Sequence, residues 1–140
     1  MSPSASDLHG QPHVERYLET NGEEGHEWKD GTHTLLLTTT GRRSGEPRTT
    51  PLIYGRRGDD YLVVASNGGS TEPPGWYRNL EADPEVEIQV KDRRMKAHTR
   101  TATEQEKPEV WETMTREWPA YDEYQERTDR EIPVVVLEPR

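Results

Sequence analysis

The stretch from Leu35 to Arg57 constrains the fold more than any other. An apolar run, Leu35-Leu36-Leu37, passes into three threonines, and a second β-prone run, Thr49 to Tyr54, follows a loop bounded by Gly41 and Gly45. Two β-rich runs around a short glycine-containing loop are the pattern of a hairpin. Thr32 to Thr40 is therefore expected to be one strand and Arg48 to Arg57 its partner. The loop also carries charge. Gly41 to Arg57 holds five arginines (42, 43, 48, 56 and 57) against one acid, Glu46, in a chain of formal net charge −9. A basic island in an acidic chain fits a local anionic partner. Glycines, exposed amides, the Ser44 hydroxyl and forked guanidinium groups together suit a phosphate or carboxylate. The same residues also fit a solvated hairpin whose arginines pair with surface acids, and chemistry alone leaves both open.

The remaining patterns describe one small β-rich domain. At 140 residues the chain is long enough for a single core, and eleven Pro with eleven Gly favour a turn-rich fold over a helical bundle. His13 to Thr20 is expected to be a short helix stopped by Asn21-Gly22, after a polar, disordered start over residues 1 to 10. Glu23 to Gly31 is a charged connector with Trp28 as its only anchor. Tyr61 to Ser66 is a compact apolar strand, and Gly75 to Ala82 a helix ended by Asp83-Pro84. Val86, Ile88 and Val90 alternate with Glu85, Glu87 and Gln89, the period of a strand with one wet face. A turn at Asp92-Arg93 and a return strand from Met95 to Thr101 follow. Thr103 and Glu106 have the spacing of a capping box opening a helix with Val110, Trp111 and Met114. Pro119 ends that helix, Tyr121 to Arg127 restarts one, and Ile132 to Leu137 is apolar throughout, as in a central strand. Six strands in mostly antiparallel order, with helices before strand six and between strands three and four, make an α+β domain built on a small barrel.

Several function classes have little support. The chain has no Cys, which removes disulfides and thiolate chemistry and fits a cytoplasmic protein. No Ser stands in a nucleophile elbow. His13, His26, His33 and His98 lack helical ligand spacing, so no metal site is expected. Overall acidity argues against nucleic acid as a partner. No window is a transmembrane segment, and the start is unlike a signal peptide. Residues 103 to 131 hold ten acids against four bases, which fits a solvated face better than a catalytic dyad.

Two further features can carry chemistry. Ser66-Asn67-Gly68-Gly69, continued through Pro74-Gly75-Trp76-Tyr77-Arg78-Asn79, is a small-residue loop running into a helix N-terminus. Such a loop can receive an anion or a ring edge, or simply cap the helix. Trp111, Trp118, Tyr121 and Tyr124 concentrate rings in a chain without Phe; three of them are spaced by three, as on one helix face. They suit either core packing or a wall against a flat conjugated ligand.

Taken together, these segments resemble a known family. Leu37 to Arg48 (Leu-Thr-Thr-Thr-Gly-Arg-Arg-Ser-Gly-Glu-Pro-Arg), Ala65 to Gly69, Trp76 to Leu80, Asp83 to Val86, and Tyr124 to Pro133 (Tyr-Gln-Glu-Arg-Thr-Asp-Arg-Glu-Ile-Pro) occur together in the order found in deazaflavin-dependent nitroreductases. These are coenzyme F420-dependent reductases of mycobacteria and related actinobacteria. The resemblance covers about residue 30 to the end. It implies a split β-barrel of the FMN-binding type over residues 31–140, with residues 1–30 a flexible N-terminal segment containing the short helix. It implies that Arg42, Arg43, Ser44 and Arg48 hold the cofactor's phosphate and tail. Thr49, Thr50, Pro51, Leu52 and Ile53, with Val64, Ala65, Ser66 and Asn67, would line the ring. Gly75, Trp76, Tyr77, Arg78 and Asn79 would close the phosphate side. Ile53, Ser66, Trp118, Tyr121 and Tyr124 would face the substrate, with Tyr121 touching ring or substrate, and Ser66 or Tyr121 orienting it or relaying a proton. Ile53 and Trp118 stand where the best-known member has tyrosines, and Asn67 where a lysine is common, so the cofactor side carries over better than the substrate side.

The expected activity is hydride transfer from reduced coenzyme F420 to a quinone or nitroaromatic. The alternatives are a non-catalytic deazaflavin- or flavin-nucleotide-binding protein, and an FMN-dependent enzyme on the same fold. Monomer and homodimer both remain open.

Overall fold

A computed structural model describes residues 10–140; the expected disorder of residues 1–9 lies outside the described residues. The hairpin forms as its sequence requires. β1 (Thr34–Thr40) runs antiparallel to β2 (Pro47–Ile53), with Thr40 opposite Pro47 and Thr34 opposite Ile53. The loop is closed by the Gly41 N–H donating to the Glu46 carbonyl and the Gly45 N–H to the Gly41 carbonyl, both at 2.8 Å.

The partner of β1 is not one strand through Arg57. It stops at Ile53, and β3 (Gly55–Arg57) pairs instead with β4 (Asp60–Val64), which makes seven strands where six were expected. Tyr54 makes the bend. Its N–H donates to the His33 carbonyl (3.0 Å), and its ring meets Tyr61 edge-on at 5.4 Å. A side chain at Gly55 would press on Met114, its Cβ falling 2.7 Å from Sδ, so the bend is also where a helix approaches closely.

The sheet order is β2-β1-β5-β6-β7-β4-β3, so its two edge strands are consecutive in sequence. A single residue joins them, and a seven-stranded sheet can satisfy that link only by curling back on itself. β5 (Glu85–Val90) and β6 (Arg93–Thr101) form a second hairpin around Lys91 and Asp92, one residue earlier than the expected turn. Every strand pair is antiparallel.

β7 (Val134–Pro139) lies between β6 and β4. Val135 and Leu137 join Leu35, Leu37, Val63 and Ile88 inside the curl, while Val134 and Val136 join Leu62, Val110 and Met114 on the other face. Burial on both faces is why that run is apolar without alternation.

Among the described residues four α-helices flank the sheet: α1 (Gly10–Thr20), α2 (Gly75–Ala82), α3 (Lys107–Glu117) and α4 (Ala120–Glu126). α1 buries Val14 and Tyr17 with Leu36. α3 is preceded by the expected capping box: the Glu106 N–H donates to Thr103 Oγ1 (3.2 Å) and the Thr103 N–H to Glu106 Oε1 (2.9 Å). The same carboxylate receives Arg100 through two bonds (2.6 and 2.9 Å) and Arg57 through one (2.6 Å), which holds its pKa well below the usual range. Glu106 thereby ties β3 and β6 to the start of α3. Among the described residues no helix is long and apolar enough to cross a membrane.

The connector before β1 brings two scattered histidines together. The rings of His26 and His33 lie 5.0 Å apart, and His26 Nε2 is 2.7 Å from the Tyr54 hydroxyl. His26 Nδ1 is buried with no hydrogen-bond partner among the described residues. Burial, reinforced by His33, lowers the His26 pKa to about 4. An imidazole held neutral in the fold opposes protonation, so its contribution is complete above the ordinary value of about 6.5. It is lost as the pH falls from there towards 4. Denaturant titrations at pH 7.5 and pH 4.5 should differ by on the order of 2–3 kcal/mol through this group, and His26→Asn should flatten that limb. An unchanged limb in the variant would assign the pH dependence elsewhere.

Candidate functional site

One cavity, of about 460 Å3, collects residues from seven separate parts of the chain. Thr50, Pro51, Leu52 and Ile53 of β2 form one side. Val64 at the end of β4 and Ser66, Asn67 and Gly68 beyond it form another. Pro74 and Trp76 enter from the start of α2, and Trp118, Tyr121 and Tyr124 from the α3–α4 segment. Gly10, His13 and Trp28 from α1 and the connector, with Thr34, complete the lining.

The aromatic wall is internally braced. Tyr121 and Tyr124 meet nearly edge-on, centroids 6.1 Å apart, and Trp118 Nε1 donates to the Tyr124 hydroxyl at 3.4 Å. Trp118 does not share a helix with the tyrosines: it caps α3 in an extended conformation, and its indole lies 5.8 Å from Trp28. Trp111 donates to Asp122 (2.8 Å) and lines a separate groove. Tyr121 is 6% exposed, and burial pushes its phenol well above the ordinary value. It therefore stays protonated at neutral pH and can only donate or accept a hydrogen bond there.

The basic hairpin is fixed beside this cavity by Asn79, itself 6% exposed. Asn79 Oδ1 accepts the Arg42 backbone N–H (3.2 Å) and Arg42 Nη1 (2.8 Å), while its Nδ2 donates to Thr39 Oγ1 (3.1 Å). Arg42 also reaches the Gly75 carbonyl at 3.4 Å. Ser44 Oγ accepts the Glu46 N–H (3.1 Å), a turn-stabilising contact. Arg42 and Asn79 are thus engaged in holding loop to helix. The side chains of Arg43 and Arg48 are exposed and, among the described residues, have no hydrogen-bond or ion-pair partner.

The other expected site residues lie elsewhere. Thr49 bonds to Thr38 across the strand pair (2.8 Å) and lines a groove beside Leu18 and Arg94. Ala65 is fully buried. The Tyr77 hydroxyl is 3.0 Å from Thr101 Oγ1 and faces a different groove, and Arg78 pairs with Glu72. Gly75 opens α2 with free space around it. The sequence reading missed Gly10, His13, Trp28 and Thr34, and named Gly68 and Pro74 only as part of the candidate loop. Trp28 carried a usable signal, being a lone tryptophan in an otherwise charged connector.

Comparisons with known proteins agree with this architecture. A family model described as F420H(2)-dependent quinone reductase matches residues 10–139. An F420H(2)-dependent quinone reductase of Mycobacterium tuberculosis is 45% identical over 125 residues, covering 86% of this chain and 83% of its own. A solved F420-H2 dependent reductase superposes with a TM-score of 0.70 at 38% identity, over 75% of this chain and 93% of that one. A second solved chain, described as a domain-swapped dimer, gives 0.73 at 36% identity over 89% and 93%. With nearly the whole described chain matched in sequence and in fold, the protein belongs to the F420H(2)-dependent quinone reductase family.

Proposed function

We propose that the cavity beside the basic hairpin holds coenzyme F420 and presents it to a flat quinone at the Tyr121 wall. The observation that carries this assignment is the pairing of two arginine side chains without partners, Arg43 and Arg48, with an aromatic-lined cavity at the other end of the same strand. An anionic tail on a planar apolar ring needs both ends.

The residues fit such a group. Arg43, Arg48 and the amides opening α2 would hold the phosphate and tail, with Arg42 and Asn79 keeping the hairpin against that helix. Thr50 to Ile53, with Val64, Ser66 and Asn67, would line the ring. The chemistry supplied by the bound cofactor is donation of a hydride. This chain's own residues orient and exclude: the apolar lining keeps water from the reacting face, and Ser66 Oγ and Tyr121 Oη hydrogen-bond the acceptor's oxygens. Because Tyr121 remains a phenol, its proton is held at Oη as a donor and is not released to bulk. Ile53, Trp28 and Trp118 bound the remaining space on the acceptor side.

Fluorescence titration with oxidised F420 beside FMN, followed by quinone-dependent oxidation of F420H2, tests the reading. Saturable F420 binding at least about tenfold tighter than FMN, roughly 1.4 kcal/mol, is expected, with turnover on a naphthoquinone. Preference for FMN, or F420 binding without quinone reduction, would overturn it.

A further inference from the structure

In the segment Tyr124 to Pro133, the side chains of Gln125, Thr128 and Arg130 take no part in the cavity itself, and those of Gln125 and Thr128 bond to the backbone of Arg130. Their bonds form one device. Gln125 Nε2 donates to the Arg130 carbonyl (2.8 Å), Gln125 Oε1 accepts the Ile132 N–H (2.9 Å), and Thr128 Oγ1 accepts the Arg130 N–H (3.3 Å). The backbone of Arg130 is thereby held from both sides by residues on and just after α4.

From that fixed base the guanidinium crosses to the loop between β4 and α2. Nη2 donates to the carbonyls of Ser66 (2.9 Å) and Ala65 (3.2 Å), and Nε donates to that of Ser70 (2.9 Å). The loop it spans has three successive residues in the left-handed region, Asn67 (φ 46°), Gly68 (φ 64°) and Gly69 (φ 84°). Gly69 is pressed against α4: a Cβ there would fall 2.8 Å from the Tyr124 carbonyl oxygen. Arg127, the neighbouring guanidinium, makes only a 3.5 Å contact to Gly68 and otherwise lies over the Tyr124 ring.

We propose that Arg130 is a positioning residue that sets Ser66 against Tyr121, joining the two walls between which the acceptor is placed. The inference rests on the assignment of those walls to the quinone. Three carbonyls on both limbs of a turn need donors arranged in a rigid fork; a lysine ammonium, with its donors on one atom, reaches fewer of them. A loop with few apolar anchors keeps its shape only while such links persist.

The test compares Arg130→Ala, Arg130→Lys and Arg127→Ala as purified full-length proteins. Amide exchange over residues 66 to 70 without ligand, F420 affinity, and kcat and KM for a naphthoquinone are measured on each. R130A should lose exchange protection in that loop and about thirtyfold in quinone kcat/KM, while F420 affinity changes by less than about threefold; misplacement of a reacting pair by about 1 Å gives losses of that order. R130K should fall between R130A and wild type, millimolar guanidinium should restore part of the R130A activity, and R127A should lose no more than about twofold. Unchanged loop protection, unchanged quinone turnover, or equal loss of F420 affinity and turnover in R130A would overturn the assignment. A wild-type protein that binds F420 and reduces no quinone overturns the functional reading itself, before any variant is compared.

Discussion

Replacing Arg43 and Arg48 together with alanine should weaken F420 binding by about a hundredfold or more and leave the melting temperature within about 2 °C. Both side chains are exposed and, among the described residues, without partners, so their removal breaks no contact that supports the fold. Surface substitutions of that kind change stability by about 0.5 kcal/mol or less. A charge-assisted bond to an anion contributes about 1.5–3 kcal/mol, so losing two corresponds to two or more decades in affinity. The loss should grow as salt is lowered, because the wild-type contacts are the ones that salt screens. Arg42→Ala is the informative contrast. It leaves Asn79 Oδ1 without its guanidinium donor and loosens the hairpin from α2, so it should lower both stability and affinity. Equal affinity in the double variant and the wild type, measured by fluorescence titration, would remove the hairpin from the cofactor site.

That contrast marks what the sequence could and could not convey. Arg42, Arg43 and Arg48 are one basic motif in the sequence, and nothing in their spacing tells which is turned inward to Asn79. The distinction depends on α2 lying beside the loop, a contact between residues 37 positions apart. Periodicity located the hairpins, the capping box and the buried last strand because each is encoded within a few residues. The break at Tyr54 escaped it, although Gly55 follows directly, because the bend arises from closing the sheet. The cavity was legible where motifs line it, from Thr50 to Ile53 and from Val64 to Gly68. It was not legible at His13, Thr34 or Trp28, whose place follows from α1 lying on β1. Arg130 stands inside a family-like motif, yet its three carbonyl partners lie 60 to 65 positions away.

Gly22→Ala should be the most damaging single methyl group in the chain, costing about 3 kcal/mol and lowering the melting temperature by roughly 10 °C. Gly22 ends α1 at φ 81°, its N–H donating to the Tyr17 carbonyl at 2.9 Å. A Cβ there would run into Lys91 Cα, which is backbone in the β5–β6 turn and cannot rotate aside. The left-handed conformation accounts for about 1 kcal/mol, and the forced backbone shift for about 1–3 kcal/mol more. The junction cannot yield locally, because the Lys91 N–H donates to the Tyr17 hydroxyl at 2.7 Å, and that hydroxyl's one proton is shared between the carbonyls of Thr34 (3.1 Å) and Gln89 (3.3 Å). Gly31→Ala separates the two causes: Gly31 also has a positive φ, 74°, but nothing lies within 4 Å of its added Cβ, so it should cost only about 1 kcal/mol. Since Gly10, His13 and Trp28 reach the cavity from this end of the chain, Gly22→Ala should also raise the quinone KM well beyond any change in F420 affinity. Equal melting temperatures for the two glycine variants would mean that α1 can leave the sheet without cost, and the acceptor side of the cavity would then have to be built without it.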